Sequence, residues 1–189
     1  MEISIHIHED DWEMRNLYPL EASREAAVDI HEASEAGLRN HAPNGAGWTD
    51  VHLIKPPSVD YASVGLALND ACSAMEPLMP RVRKFTATAT AGFRQGVHDQ
   101  LGSYEQDAYC YGFGPDCFIK LEPCEELVKR IWFDCTGRDD EKLDSLRAAV
   151  LAINELAPSV IADYWNEMTG AVSDIAFLDR YFQELRRPA

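Results

Sequence analysis

Residues 129–186 read KRIWFDCTGRDDEKLDSLRAAVLAINELAPSVIADYWNEMTGAVSDIAFLDRYFQELR, and their pattern decides the fold class. Ile131, Trp132 and Phe133 are β-formers and predict a strand that ends near Cys135. Thr136-Gly137-Arg138 supplies a turn. Asp139, Asp140 and Glu141 then place carboxylates in the first turn of a helix, where the helix dipole favours negative charge. Leu143, Leu146, Ala149, Val150, Ile153 and Leu156 recur with the 3.6-residue period of one helix face, and Pro158 follows the end. Val160 to Trp165 reads as a strand, Met168-Thr169-Gly170 as a turn, and Ala171-Val172 as a short return. Ser173 is the expected cap of a last helix with Ile175, Leu178, Tyr181, Phe182 and Leu185 on its apolar stripe. Strand, helix, strand, turn, helix is a unit that buries its apolar faces only as helices laid on a sheet.

Upstream segments extend the same architecture. Ile3, Ile5 and Ile7 alternate with Ser4, His6 and His8, the period of a half-buried strand. Leu17-Tyr18-Pro19-Leu20 is expected to be irregular, because proline restricts the residue before it. Residues 21–40 predict a helix with Ala22, Ala26, Ala27, Ile30, Ala33 and Leu38 inward, and Glu21, Glu25, Asp29, Glu32 and Glu35 on a solvated acidic face. The run HAPNGAGW at 41–48 is a loop, and Asp50 to Ile54 a short strand stopped by Pro56-Pro57. Ser58 is positioned to cap a buried helix from about Val59, carrying Val64, Leu66, Leu68, Ala71, Cys72 and Met75 and ended by Pro77 and Pro80. Phe85 to Ala91 alternates as a strand, and 92–106 lacks a period. Residues 107–112 and 117–121 flank Phe113-Gly114-Pro115-Asp116 as a hairpin, with Pro123 breaking it. The element order β-α-β-α-β-β-β-β-α-β-α predicts one α+β domain over residues 1–189, a mixed, mainly antiparallel sheet with helices packed against it.

Charge narrows the choice of partner. Seventeen Lys and Arg stand against 32 Asp and Glu, a net charge of −15. Nucleic acid and anionic membranes call for cations, so neither is expected as a partner. Acidity of this degree serves solubility through self-repulsion, or it steers a basic protein partner. No run reaches the ~18 apolar residues of a membrane span. Met1 to Trp12 has neither the basic start nor the apolar core of a secretory signal, so a cytoplasmic location is expected. Five cysteines, an odd number, fit free thiols in a reducing compartment. Cys110, Cys117 and Cys124 fall seven apart, but no C-x-x-C pair accompanies them, and buried thiols on strands are expected.

Two clusters carry candidate chemistry. His6 and His8 point the same way from a strand, so both imidazoles can reach one metal. The run His6-Ile7-His8-Glu9-Asp10-Asp11 resembles the H-x-H-x-D-H start of metallo-β-lactamase-like hydrolases and the H-x-H strand end of metal-dependent amidohydrolases. Asp11 stands where the first pattern has histidine, and His31, His41, His52 and His98 form no second ligand motif. There is no G-x-S-x-G elbow and no glycine-rich phosphate loop with its lysine. Cys135 as a nucleophile would meet the carboxylate of Asp134, which raises a thiol pKa. Asp163-Tyr164-Trp165 is the better binding candidate, since aromatic rings beside carboxylates are what interface hot spots contain. Strand parity puts Asp163 and Trp165 on one side and Tyr164 on the other, although packing explains both rings equally well.

The segments IWFDCTG, ADYW and FLDRYFQEL are similar to parts of small acidic bacterial immunity proteins that neutralise toxins. The resemblance covers about a third of the chain and brings no functional motif with it. It implies a non-enzymatic cytoplasmic inhibitor, without cofactor, that binds a basic toxin domain such as a nuclease. The expected contact residues are Glu9, Asp10, Asp11, Trp12, Asp163 and Trp165. The alternatives are a metal-dependent hydrolase using His6 and His8, and a structural or regulatory domain that self-assembles.

Overall fold

The computed structural model describes residues 3–8, 11–42, 47, 49, 52–88, 105, 107–137 and 139–187. Among these residues nine strands and four α-helices form a mixed α+β fold. The strands are β1 (Ser4–His8), β2 (Arg15–Pro19), β3 (Arg81–Val82), β4 (Lys84–Thr88), β5 (Cys110–Gly114), β6 (Cys117–Cys124), β7 (Leu127–Cys135), β8 (Ser159–Asp163) and β9 (Met168–Ala171). The helices are α1 (Ser23–Arg39), α2 (Leu68–Met75), α3 (Asp140–Leu156) and α4 (Ile175–Leu185). Seven strands pair antiparallel in the order β3-β5-β6-β7-β2-β8-β9. β1 and β4 form a separate parallel ribbon, in which Ile5 stands opposite Phe85.

Strand parity sorts the side chains into two layers. Leu17, Ile119, Leu121, Ile131, Phe133 and Ile161 face α2, α3 and α4 and make the main core with Leu68, Met75, Leu146, Ile153, Leu178 and Phe182. The opposite face is covered in two places. The ribbon lays Ile5, Ile7 and Phe85 on Phe118 and Trp132. Helix α1 lays Ala26 and Ile30, with Ala22 just before it, on Tyr18, Val160 and Ala162. Trp132 is fully buried, with Phe85, Phe118 and Trp12 ring centroids 5.0–5.5 Å away in edge-on or tilted geometry. Truncating such a ring typically costs about 3–5 kcal/mol.

The C-terminal unit keeps its order of strand, helix, strand and helix, but Met168-Thr169-Gly170 is not a turn: β8 stops at Asp163, the turn falls at 164–167, and Met168–Ala171 pairs back on β8 as β9. Asp139 caps α3, accepting from the N–H groups of Glu141 and Lys142. The cap of α4 is Asp174 rather than Ser173, and Ile175 is exposed while Phe177 is buried.

Five upstream expectations change. Leu17-Tyr18-Pro19 is not irregular but belongs to β2, an interior strand. Pro19 is its last residue, so its missing N–H falls at the strand end, and the next N–H, from Leu20, is donated to Pro158 O at 2.8 Å. Pro123 does not end β6; the strand passes it through a register shift between Glu122 and Pro123. Helix α2 begins at Leu68, not near Val59, because residues 60–65 are consumed by a turn in which Asp60 and Ser63 exchange hydrogen bonds and Gly65 takes φ +78°. Ser58 binds the Glu25 carboxylate instead of capping a helix. Residues 52–54 are not a strand; the rest of that expected strand, at 50–51, and most of 92–106 lie outside the described residues.

Candidate functional site

An open groove of about 910 Å³ lies beside the second half of α1. Its floor carries Tyr18 of β2 and Arg130 of β7. One wall is the second half of α1, with Ala33, Gly37 and Leu38. Another is the segment His52–Pro56, and the far end is closed by Trp12-Glu13 on one side and Trp165 and Glu167 on the other.

Apolar side chains lie open along this groove. Leu38 and Leu53 are each 77% exposed, and Trp165 is 51% exposed. Leu38 leaves the inward stripe of α1 because the last turn carries it past the sheet. Of the expected stripe, Ala26 and Ile30 are buried, whereas Ala27 and Leu38 are not.

Asp29 fixes the walls relative to one another. Expected on the solvated face of α1, it is in fact buried. Its carboxylate bonds His52 Nε2 at 2.9 Å, accepts from the Lys55 N–H at 3.1 Å, and accepts from the Tyr164 hydroxyl at 2.7 Å. One side chain thus ties α1, the 52–56 segment and the end of β8 together. Burial pushes the Tyr18 and Tyr164 phenols up, so both remain neutral hydroxyls.

The acidic rim is held by strained backbone. Glu13 and Glu167 have φ of 53° and 51°, a left-handed conformation that costs a non-glycine residue roughly 1 kcal/mol or more. Asn16 Nδ2 donates to Glu13 O, and Asp163 accepts from the N–H of Asn166 beside Glu167. The Glu13 carboxylate pairs with Arg130 Nη1 at 2.9 Å. Burial raises the Glu13 pKa despite that partner. Arg130 Nε, also buried, has no acceptor among the described residues.

The expected contact residues divide. Trp165 lines the groove in the open, and Trp12 lines it half-buried, packed on Trp132 and Phe85 over the buried Lys120 ammonium. Lys120 pairs with Glu122 at 2.7 Å and Glu105 at 2.9 Å, so the rings close over a satisfied charge. Asp163 is not on the surface. It is fully buried at the end of β8 and accepts from Arg15 Nε, Tyr181 hydroxyl, Asn166 Nδ2 and Asn166 N at 2.8–3.0 Å. Arg15 also donates to Asp134. A saturated, buried carboxylate offers nothing to a partner, so Asp163 is structural. The parity linking it to Trp165 fails because β8 ends at Asp163 and a turn follows. Asp11 is half-buried, near enough to Asp134 for the two carboxylates to repel, and does not line the groove. Glu9 and Asp10 lie outside the described residues.

His6 and His8 sit on β1 opposite Thr86 and Thr88. Among the described residues no group of three His, Cys, Asp or Glu side chains is placed to hold a metal ion. No helix among them is long and apolar enough to cross a membrane.

No family model, curated protein or solved structure matches the chain.

The residues that sequence reasoning missed are Leu38, Leu53, Glu13 and Glu167. Leu38 had a signal: Gly37 before it and Arg39-Asn40 after it mark the end of the helix, where an apolar residue no longer faces the core. Glu13 and Glu167 had only their neighbours, Trp12 and Trp165.

Proposed function

We propose that this chain is a non-enzymatic binding protein of the immunity type, which neutralises a basic bacterial toxin domain by docking it in the groove between α1 and the 52–56 segment. The carrying observation is that Leu38, Leu53 and Trp165, three of the most exposed large apolar side chains, converge on one groove whose rim bears Glu13 and Glu167. Contiguous apolar surface rimmed by polar groups marks interaction sites, and an exposed tryptophan on it is a usual hot-spot residue. The net charge of −15 selects a basic partner and speeds its encounter. The occupant that fits is a toxin loop with an apolar side chain over Leu38 and Leu53 and a cationic side chain toward Glu167. A nuclease domain, whose substrate site is itself cationic, has this chemistry; covering that site with an acidic surface would block it.

Capture from the host's own lysate tests the reading, with the wild-type chain and the Trp165→Ala chain as paired baits. A basic toxin held by the wild type, released at about 0.5 M salt and lost with Trp165→Ala, is the expected outcome. Capture of no partner, or only of acidic ones, contradicts it.

A further inference from the structure

We infer that Cys117 and Cys135 are a redox-active pair that closes to an intramolecular disulfide joining β6 and β7. The two residues stand directly opposite each other in the antiparallel register, as Cys117↔Cys135. Both are buried in the main core, beneath α3. Residues so placed have Cα atoms about 4.5–5.5 Å apart, inside the ~4.4–6.8 Å span of disulfides. Their Cβ atoms, at about 4.5–5.5 Å, need approach by no more than roughly 1 Å.

The surroundings suit the chemistry. Each thiol donates to a backbone carbonyl, Cys117 Sγ to Lys142 O at 3.6 Å and Cys135 Sγ to Gly137 O at 3.7 Å. The neighbouring Cys117 thiol pulls the Cys135 pKa down, and the Arg15 guanidinium adds to this. Asp134 opposes it, as its place in the sequence suggests, but does not prevail. Cys135 is therefore the attacking sulfur. Hydrogen peroxide is the oxidant: the Cys135 thiolate attacks one peroxide oxygen, the O–O bond breaks, and hydroxide leaves with a proton as water. The Cys117 sulfur then attacks the resulting sulfenic acid and expels its oxygen as a second water. Two thiols and one peroxide give one disulfide and two waters.

The other three cysteines are placed differently. Cys110 is buried on the opposite face of the sheet, Cys72 lies on α2, and Cys124 is exposed at the end of β6.

The experiment treats the purified full chain with a stoichiometric amount of hydrogen peroxide and counts thiols after denaturation. The expected result is a fall from five free thiols by two. A cross-linked peptide joining Cys117 to Cys135 should appear by fragmentation mass spectrometry. Both changes should reverse with dithiothreitol. The bridge closes a loop of roughly 18 residues, so the unfolding midpoint should rise by several degrees. Cys117→Ser and Cys135→Ser should each abolish the intramolecular bridge, and Cys72→Ser, Cys110→Ser and Cys124→Ser should leave it. Peptide mapping on the wild type decides the matter even if a serine variant fails to fold. A bridge to any other cysteine, a Cys124-linked dimer as the sole product, or five surviving thiols would overturn the inference.

Discussion

Replacing Asp163 by alanine should strongly destabilise the domain. Its carboxylate accepts four hydrogen bonds, two of them from side chains of other elements, Arg15 on β2 and Tyr181 on α4. Removing one partner of a buried ion pair costs roughly 3–5 kcal/mol, chiefly because the other charge stays buried without it. Asp134 remains as a second counter-ion to Arg15, which places this term at the low end. The Tyr181 hydroxyl, fully buried, is left without its acceptor, for about 1–3 kcal/mol more. The two terms share one site and do not simply add, so a loss of about 4 kcal/mol is expected. With a urea slope of about 2 kcal/mol/M, the unfolding midpoint should drop by about 2 M. Leu38→Ser, at a side chain 77% exposed, should move it by no more than about 0.25 M. A midpoint for Asp163→Ala within about 0.5 M of the wild type would refute the reasoning that this carboxylate is the buried tie between β2, β8 and α4.

Other consequences follow from single contacts. Gly112→Ala should destabilise by at least about 1–3 kcal/mol, read by the same urea titration, because a Cβ there would lie 2.6 Å from Cys117 O and 2.8 Å from Phe118 Cα, backbone atoms that cannot turn aside. Glu13 has its pKa raised above 4.5 by burial, so the folded state holds its proton more tightly than the unfolded one. The stability this gives is complete below the ordinary value and is lost as pH rises through the raised one. Glu13→Gln should therefore lose less stability than the wild type across that window, and parallel pH curves would argue against it. Asp29→Ala should release the 52–56 segment from α1 and Tyr164, seen as faster limited proteolysis there with little change in the protection of α3 and α4.

Legibility in the sequence tracked how local each determinant was. The C-terminal half was readable because its caps, apolar periods and turn residues lie within a few positions of what they specify. Asp139, Leu143 to Ile153 and Gly137 each act on their own segment. Strand β2 was not, since Leu17-Tyr18-Pro19 is made a strand by β7 and β8, more than a hundred residues away. Asp29 and Asp163 failed for the same reason. A carboxylate reads as solvated until its partners appear, and theirs come from His52, Lys55 and Tyr164 in one case and from Arg15 and Tyr181 in the other. The groove was half legible: Trp12 and Trp165 stood out as aromatics beside acids, whereas the exposure of Leu38 and Leu53 depends on where α1 stops covering the sheet.

The most direct test of the proposed docking groove is a calorimetric titration of the captured toxin domain into the wild-type chain and into a Leu38→Ser, Leu53→Ser, Trp165→Ala chain whose fold is first checked by circular dichroism. Loss of the exposed tryptophan and its apolar neighbours should weaken binding by at least about 100-fold, or roughly 2.7 kcal/mol. Equal affinity for the two chains would place the partner on another surface and contradict the assignment of the groove.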